Sequence, residues 1–159
     1  YEMQRSLVGS EMCIRDSGKG GWPAMESALQ QRGLNDCPAL DVRQYIYNMA
    51  TVMRGADLVI CRAGASTISE LTALGMPAIM VPSPYVTNNH QEKNARLLEA
   101  HGGAEVLLER EANGAALYRA AADILRSPDK QARMKQGMLS LGIPDATERI
   151  YETVMALVK

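Results

Sequence analysis

The hexapeptide Arg62-Ala63-Gly64-Ala65-Ser66-Thr67 is where this sequence first offers chemistry. It follows a continuous apolar run, Leu58-Val59-Ile60-Cys61, and leads into a helically patterned segment, Ile68 to Leu74. Small residues let a backbone approach a ligand closely. A helix start adds unpaired N–H groups and the positive end of the helix dipole. Together these suit a diphosphate. The same residues also read as a tight strand-to-helix turn in which Thr67 is an ordinary N-cap, and spacing does not decide between the two. The pattern is not G-x-G-x-x-G, which disfavours a nicotinamide cofactor.

Glu70 has two competing roles. Thr67-x-x-Glu70 has the spacing of a capping box, in which the carboxylate bonds back to the helix start. Alternatively the carboxylate accepts from two neighbouring ribose hydroxyls, since it stands one turn behind a phosphate-binding tip. Spacing alone favours the capping box. A second polar loop holds Asn88, Asn89, His90 and Gln91, with Asn94 one turn on. These uncharged donors and acceptors are the groups that read sugar hydroxyls. They also have plainer readings: Asn89 with Glu92 as a helix cap, His90 as a solvated residue, and Arg62 as a sheet-edge ion pair. An Asp-x-Asp pair for a metal–diphosphate complex is missing, and His90 and His101 have no metal-ligand partner at helical spacing, so no metal and no cofactor are expected. A G-x-S-x-G elbow is also missing.

Both loops need elements to carry them. Leu58–Cys61 and Ala78–Val81 are apolar throughout, which suits strands buried on both faces. Leu40–Arg43 and Ala104–Leu108 are further strand candidates. Helical patterning covers Trp22–Arg32, Tyr47–Arg54, Ile68–Leu74, His90–Ala100, Ala115–Arg126, Lys130–Leu141 and Ala146–Val158, and 17–21 reads as a flexible loop. Gly33, Gly75, Pro77, Pro128 and Pro144 punctuate these segments. Buried strands alternating with amphipathic helices predict an α/β fold, a Rossmann-like parallel sheet flanked by helices. In such sheets ligands sit outside the carboxyl ends of the strands, so loops 62–67 and 82–89 should open on one edge.

Composition narrows the function. The 159 residues are one domain's worth, with 47% apolar and 22% charged residues. A net charge of −1 gives no bulk attraction to nucleic acid, and none is expected as a partner. Three scattered cysteines, Cys13, Cys37 and Cys61, suit a reducing compartment better than a disulfide framework. No apolar run approaches the roughly 18 residues of a membrane span. Residues 1–16, YEMQRSLVGSEMCIRD, show neither helical nor strand periodicity and resemble mistranslated sequencing-adaptor DNA. They are expected to be a non-native or disordered extension, with the domain proper spanning 17–159.

ADLVICRAGASTISELTALGMPAIMVP followed by YVTNNHQEKNARLLEAHGGA resembles the signature region of the MurG family of N-acetylglucosaminyltransferases. SGKG, YIYNM and IPDATERI extend the likeness from about Ser17 to the end. The resemblance implies the C-terminal half of a GT-B architecture, two Rossmann-like domains facing across a cleft. The function implied is the addition of N-acetylglucosamine to a lipid-linked muramoyl-pentapeptide in peptidoglycan synthesis. Backbone groups around Ile46 and Met49 would then hold uracil. Ala65, Ser66 and Thr67 would cradle the diphosphate with Arg62 flanking them. Glu70 would take the ribose hydroxyls, reversing the capping-box preference. His90 and Gln91 would read the sugar, with Asn94 behind them; His90 departs from the Gln that relatives often carry.

The resemblance further implies an inverting displacement, in which a muramoyl hydroxyl attacks the anomeric carbon and UDP leaves. The acceptor site, the catalytic base and the membrane-docking surface would belong to an N-terminal domain that precedes this segment in the family. No catalytic residue is therefore assigned here, and the segment alone is expected to be inactive. A Gly-rich loop expected before Ser17 has no match in residues 1–16. The implied place is the cytoplasmic face of a bacterial plasma membrane, peripherally bound. Three rivals remain: one subunit of a split GT-B transferase, a non-catalytic UDP-sugar-binding module, and a GT-B epimerase, whose catalytic carboxylates and histidine are not found.

Overall fold

The structure is a computed structural model and describes residues 6–8, 13–16 and 18–158, with side-chain surroundings from Gly21 to Val158. Six strands, β1 (Ser6–Val8), β2 (Cys13–Asp16), β3 (Leu40–Arg43), β4 (Leu58–Cys61), β5 (Ala78–Met80) and β6 (Ala104–Val106), form one sheet. Its order is β3-β2-β1-β4-β5-β6. Seven helices connect or follow them: α1 (Gly18–Gln31), α2 (Met49–Arg54), α3 (Ala65–Leu74), α4 (His90–Ala100), α5 (Gly114–Leu125), α6 (Pro128–Leu139) and α7 (Ala146–Leu157).

β4, β5 and β6 pair in parallel, as expected from their apolar runs. β2 and β3 also pair in parallel, while β1 is antiparallel to both β2 and β4. Five strands therefore share one direction and β1 opposes them. It follows that the carboxyl ends of β3, β4 and β5 lie on the same edge of the sheet.

Alternation along β4 and β5 divides the core. Leu58, Ile60, Ile79 and Val81 face one side, in a cluster with Ala121 and Ile124 of α5 and Met134 of α6. Val59, Cys61, Ala78 and Met80 face the other, clustered with Met53 of α2, Leu71 of α3, and Ala95 and Leu98 of α4. Strand side chains point alternately up and down, so a strand covered on both faces must be apolar at every position.

Several boundaries differ from the sequence reading. Ser6–Val8 and Cys13–Asp16 are strands, where a strandless extension was expected. Strands of three and four residues are too short for period-two patterning to show. Backbone pairing is the physical gain: β1 supplies partners for β4 at Leu58, Val59 and Ile60 on the side away from β5. The burial of Leu7, Val8 and Ile14 lies outside the described residues. α1 begins at Gly18, so the loop expected over 17–21 is helical from that residue on, and Pro23 stands inside the helix. α6 begins at Pro128, expected to be a separator. Ser127 caps the helix by accepting from the Lys130 amide at 3.3 Å, and Pro is tolerated at the first position because its missing N–H has no helical acceptor there.

α3 stops as predicted. Gly75 is left-handed, with φ 64°, and the Met76 amide returns to the Leu71 carbonyl at 2.9 Å. α7 is different in kind: every residue from Thr147 to Val158 is exposed, including Ile150, Tyr151 and Val154. Among the described residues no helix is long and apolar enough to cross a membrane.

Candidate functional site

The carboxyl end of β4 passes through Arg62 and Ala63 into Gly64, the N-cap of α3, whose backbone is extended at φ −72° and ψ 150°. The helix thus begins at Ala65, three residues earlier than the periodicity predicted. Thr67 is a buried residue of the first turn and not the N-cap. This removes the capping-box reading, because Glu70 would have to reach back from the sixth helical position. Glu70 is exposed instead. Ala65 and Ser66 are also exposed, and the first turn carries no acidic residue. The positive end of the helix is therefore not neutralised by a carboxylate in its own first turn.

Arg62 has partners of its own in the fold. Its side chain is 12% exposed and pairs with Glu109, while Nη1 donates to the Val81 carbonyl at 3.0 Å. The guanidinium thus ties the ends of β4 and β5 to the segment after β6. This is the ion-pair reading left open by the sequence. The Nε atom is buried without a hydrogen-bond partner among the described residues.

The loop after β5 is held from α4. Gln91 Oε1 accepts the Ser83 amide at 2.9 Å, and Ser83 Oγ accepts the Tyr85 amide at 3.4 Å. Asn88 and Asn89 are both left-handed, with φ 57° and 51°. Asparagine tolerates this region better than other residues bearing a Cβ, which accounts for the pair at this bend. Asn89 does occupy the N-cap position of α4, but its side chain donates to Glu92 at 2.7 Å and does not cap an amide. His90 Nδ1 lies 2.8 Å from the Thr87 carbonyl. A carbonyl can only accept, so Nδ1 is the donor in this contact and Nε2 is left for another partner. Asn94 Nδ2 donates to the Ala63 carbonyl at 3.3 Å, which links α4 to the turn before α3.

Ile46, 3% exposed, lies between β3 and α2 on the same edge and belongs to the same apolar cluster as Cys61 and Ala63. Met49 opens α2 and is half-buried against that cluster. The segments that carry the ten residues singled out from sequence therefore follow the carboxyl ends of β3, β4 and β5 on one sheet edge, from the β3–α2 loop through α3 to the start of α4.

Sequence reasoning missed several neighbours. Tyr45 and Tyr47 flank Ile46 and pack edge to face at 4.8 Å, with Tyr47 90% exposed. Their flanking of a buried residue was the available signal. Glu109 became visible only through its partner Arg62, 47 residues away. A cleft of about 280 Å³, lined by Pro82, Tyr85, Asn89, Glu92, Leu108 and Glu109 among others, opens beside this edge. Its lining includes none of residues 62–70.

Comparison with known proteins gives concordant results. Residues 10–150 match the glycosyltransferase family 28 C-terminal domain. A UDP-N-acetylglucosamine–N-acetylmuramyl-(pentapeptide) pyrophosphoryl-undecaprenol N-acetylglucosamine transferase from Acetivibrio thermocellus is 49% identical over 134 residues, which is 84% of this chain and 36% of that protein. Its counterpart from Bacillus cereus is 43% identical over 143 residues, covering 90% of this chain and 39% of that protein. The crystal structure of Acinetobacter baumannii MurG superposes with a TM-score of 0.75 at 26% identity, covering 90% of this chain and 42% of that one. The chain thus spans well under half the length of the relatives it matches.

Proposed function

The chain belongs to the glycosyltransferase family 28 C-terminal domain family, and from that premise we propose that residues 17–159 are a donor domain that binds UDP-N-acetylglucosamine. The start of α3 carries the proposal. It offers an acid-free first turn, with Ala65 and Ser66 exposed, on the sheet edge that also bears the Ile46–Met49 and Ser83–Gln91 segments. Ala65, Ser66 and Thr67 receive the diphosphate, and Glu70 receives the ribose hydroxyls. Ile46 and Met49 supply backbone groups to uracil. His90 offers Nε2 to a sugar hydroxyl, and Gln91, whose Oε1 holds Ser83, offers its amide donors. Arg62 serves by fixing the ends of β4 and β5 and does not touch phosphate.

In the whole transferase this domain orients the anomeric carbon and stabilises charge on the departing UDP through the α3 amides. The acceptor is a lipid-linked muramoyl-pentapeptide, and the hydroxyl that attacks is deprotonated elsewhere in the protein. Work on such a substrate places the enzyme peripherally at the cytoplasmic face of the bacterial plasma membrane.

Calorimetric titration of the chain with UDP, UMP and inorganic pyrophosphate tests the reading. UDP should bind tightest, because it alone engages both the uracil segment and the diphosphate turn. Equal affinity for UDP and pyrophosphate would contradict it, as would UMP binding as well as UDP.

A further inference from the structure

We propose that Asn94 is a positioning residue for the diphosphate turn, holding the Ala63–Gly64 peptide from α4 so that the start of α3 stays in one orientation. The proposal rests on the donor-domain reading above. Asn94 Nδ2 donates to the Ala63 carbonyl at 3.3 Å across 31 residues of sequence. That carbonyl shares its peptide with the Gly64 amide, and Gly64 is the N-cap of α3.

In a trans peptide the C=O and N–H point in opposite directions, so holding one fixes the other. Gly64 can take φ values of either sign. The space is open as well: a Cβ built at Gly64 would meet no atom closer than Thr67 Oγ1 at 4.0 Å. The hydrogen bond thus adds a directional hold on the peptide plane to the packing of buried Ala63.

α4 is suited to this role. Ala95 and Leu98 anchor it in the core at 0% and 1% exposure. One turn before Asn94, Gln91 accepts the Ser83 amide at 2.9 Å. A single helix thus fixes the loops after β4 and β5 together. On its outer side Arg96 pairs with Glu92 and Glu99, so those charges do not compete for Asn94.

The test uses the full chain with Asn94→Ala and the similarly sized Asn94→Leu, neither of which can donate. Affinities for uridine, UDP and UDP-N-acetylglucosamine are measured for each variant. Loss of the staple should lower UDP and UDP-N-acetylglucosamine affinity by the same factor, roughly tenfold, with uridine affinity unchanged. Unchanged UDP affinity with weakened UDP-N-acetylglucosamine binding would overturn the proposal and make Asn94 a sugar contact. A parallel fall for uridine and UDP would overturn it in favour of general loosening.

A second readout needs no ligand. Millisecond exchange at the Gly64, Ala65 and Ser66 amides, measured by NMR relaxation dispersion, should appear in both variants and be absent from the unaltered chain. Flat dispersion in the variants would overturn the proposal. Absence of UDP binding by the unaltered chain would instead overturn the donor-domain reading, while the dispersion result would still judge the staple.

Discussion

Glu70 shows how a residue's role depends on where a helix begins. Thr67-x-x-Glu70 has the spacing of a capping box, and spacing alone favoured that role. The structure starts α3 at Ala65 with Gly64 as N-cap, so Thr67 lies inside the helix and Glu70 is exposed one turn further on. Sequence patterning could not place the start, because Ala65, Ser66 and Thr67 are small or polar and carry no apolar period. Glu70→Ala should weaken UDP binding about ten- to a hundredfold, the equivalent of losing hydrogen bonds to a charged acceptor at about 1.5–3 kcal/mol. A lowered melting temperature with intact UDP binding would return Glu70 to a structural role. Arg62 teaches the reverse lesson. The sequence left it between flanking the phosphate turn and a sheet-edge ion pair, and its partner Glu109 lies 47 residues away, where no local pattern points to it.

At the scale of elements, the apolar runs were legible because they are physically constrained. Leu58–Cys61 and Ala78–Met80 are covered on both faces, so every position is apolar and the strands announce themselves. α4 was legible to the residue, because Asn88 and Asn89 supply the left-handed bend before it and buried Ala95 and Leu98 set its inner face. β1 and β2 were not legible, being too short to show alternation. The seating of α6 was also hidden. Gly137 lies mid-helix, where glycine costs roughly 1 kcal/mol against alanine, and propensity alone would have it replaced. Its reason is tertiary: a Cβ there would collide with the His101 carbonyl oxygen and lie 2.7 Å from the Gly103 amide nitrogen. Gly137→Ala should therefore destabilise the chain by about 1–3 kcal/mol, despite its better helix propensity. Thermal or urea unfolding measures this, and a stabilised variant would show that α6 does not pack this closely on the turn after α4.

For the whole molecule, the telling features are the direction of the sheet and the uncovered length of α7. Five strands run one way and deliver the loops after β3, β4 and β5 to one edge, which brings the segments carrying residues from 46 to 94 to the same side of the sheet. α7 leaves Ile150, Tyr151 and Val154 exposed, and the relatives are more than twice as long as the segment matched. Direct displacement needs both reactants held at near-attack distance, a term worth roughly 7–11 kcal/mol, and a placed base contributes about 10²–10⁴-fold more. A domain that orients the donor supplies neither for the acceptor. The chain incubated with UDP-N-acetylglucosamine and the lipid-linked acceptor should form no disaccharide, and fusion of residues 17–159 to the preceding domain of a relative should restore transfer. Turnover by the chain alone, above a Glu70→Ala control, would mean that catalytic groups lie within it.

The central claim is that the donor lies across the carboxyl edge of the sheet with its diphosphate at the start of α3. Amide chemical-shift mapping of the labelled chain during titration with UDP-N-acetylglucosamine tests this most directly. The account predicts the largest shifts at Ala65 and Ser66, accompanying shifts at Ile46, Met49 and Gln91, and none along α7. Shifts confined to the cleft between Pro82 and Arg110, with Ala65 and Ser66 unmoved, would contradict it.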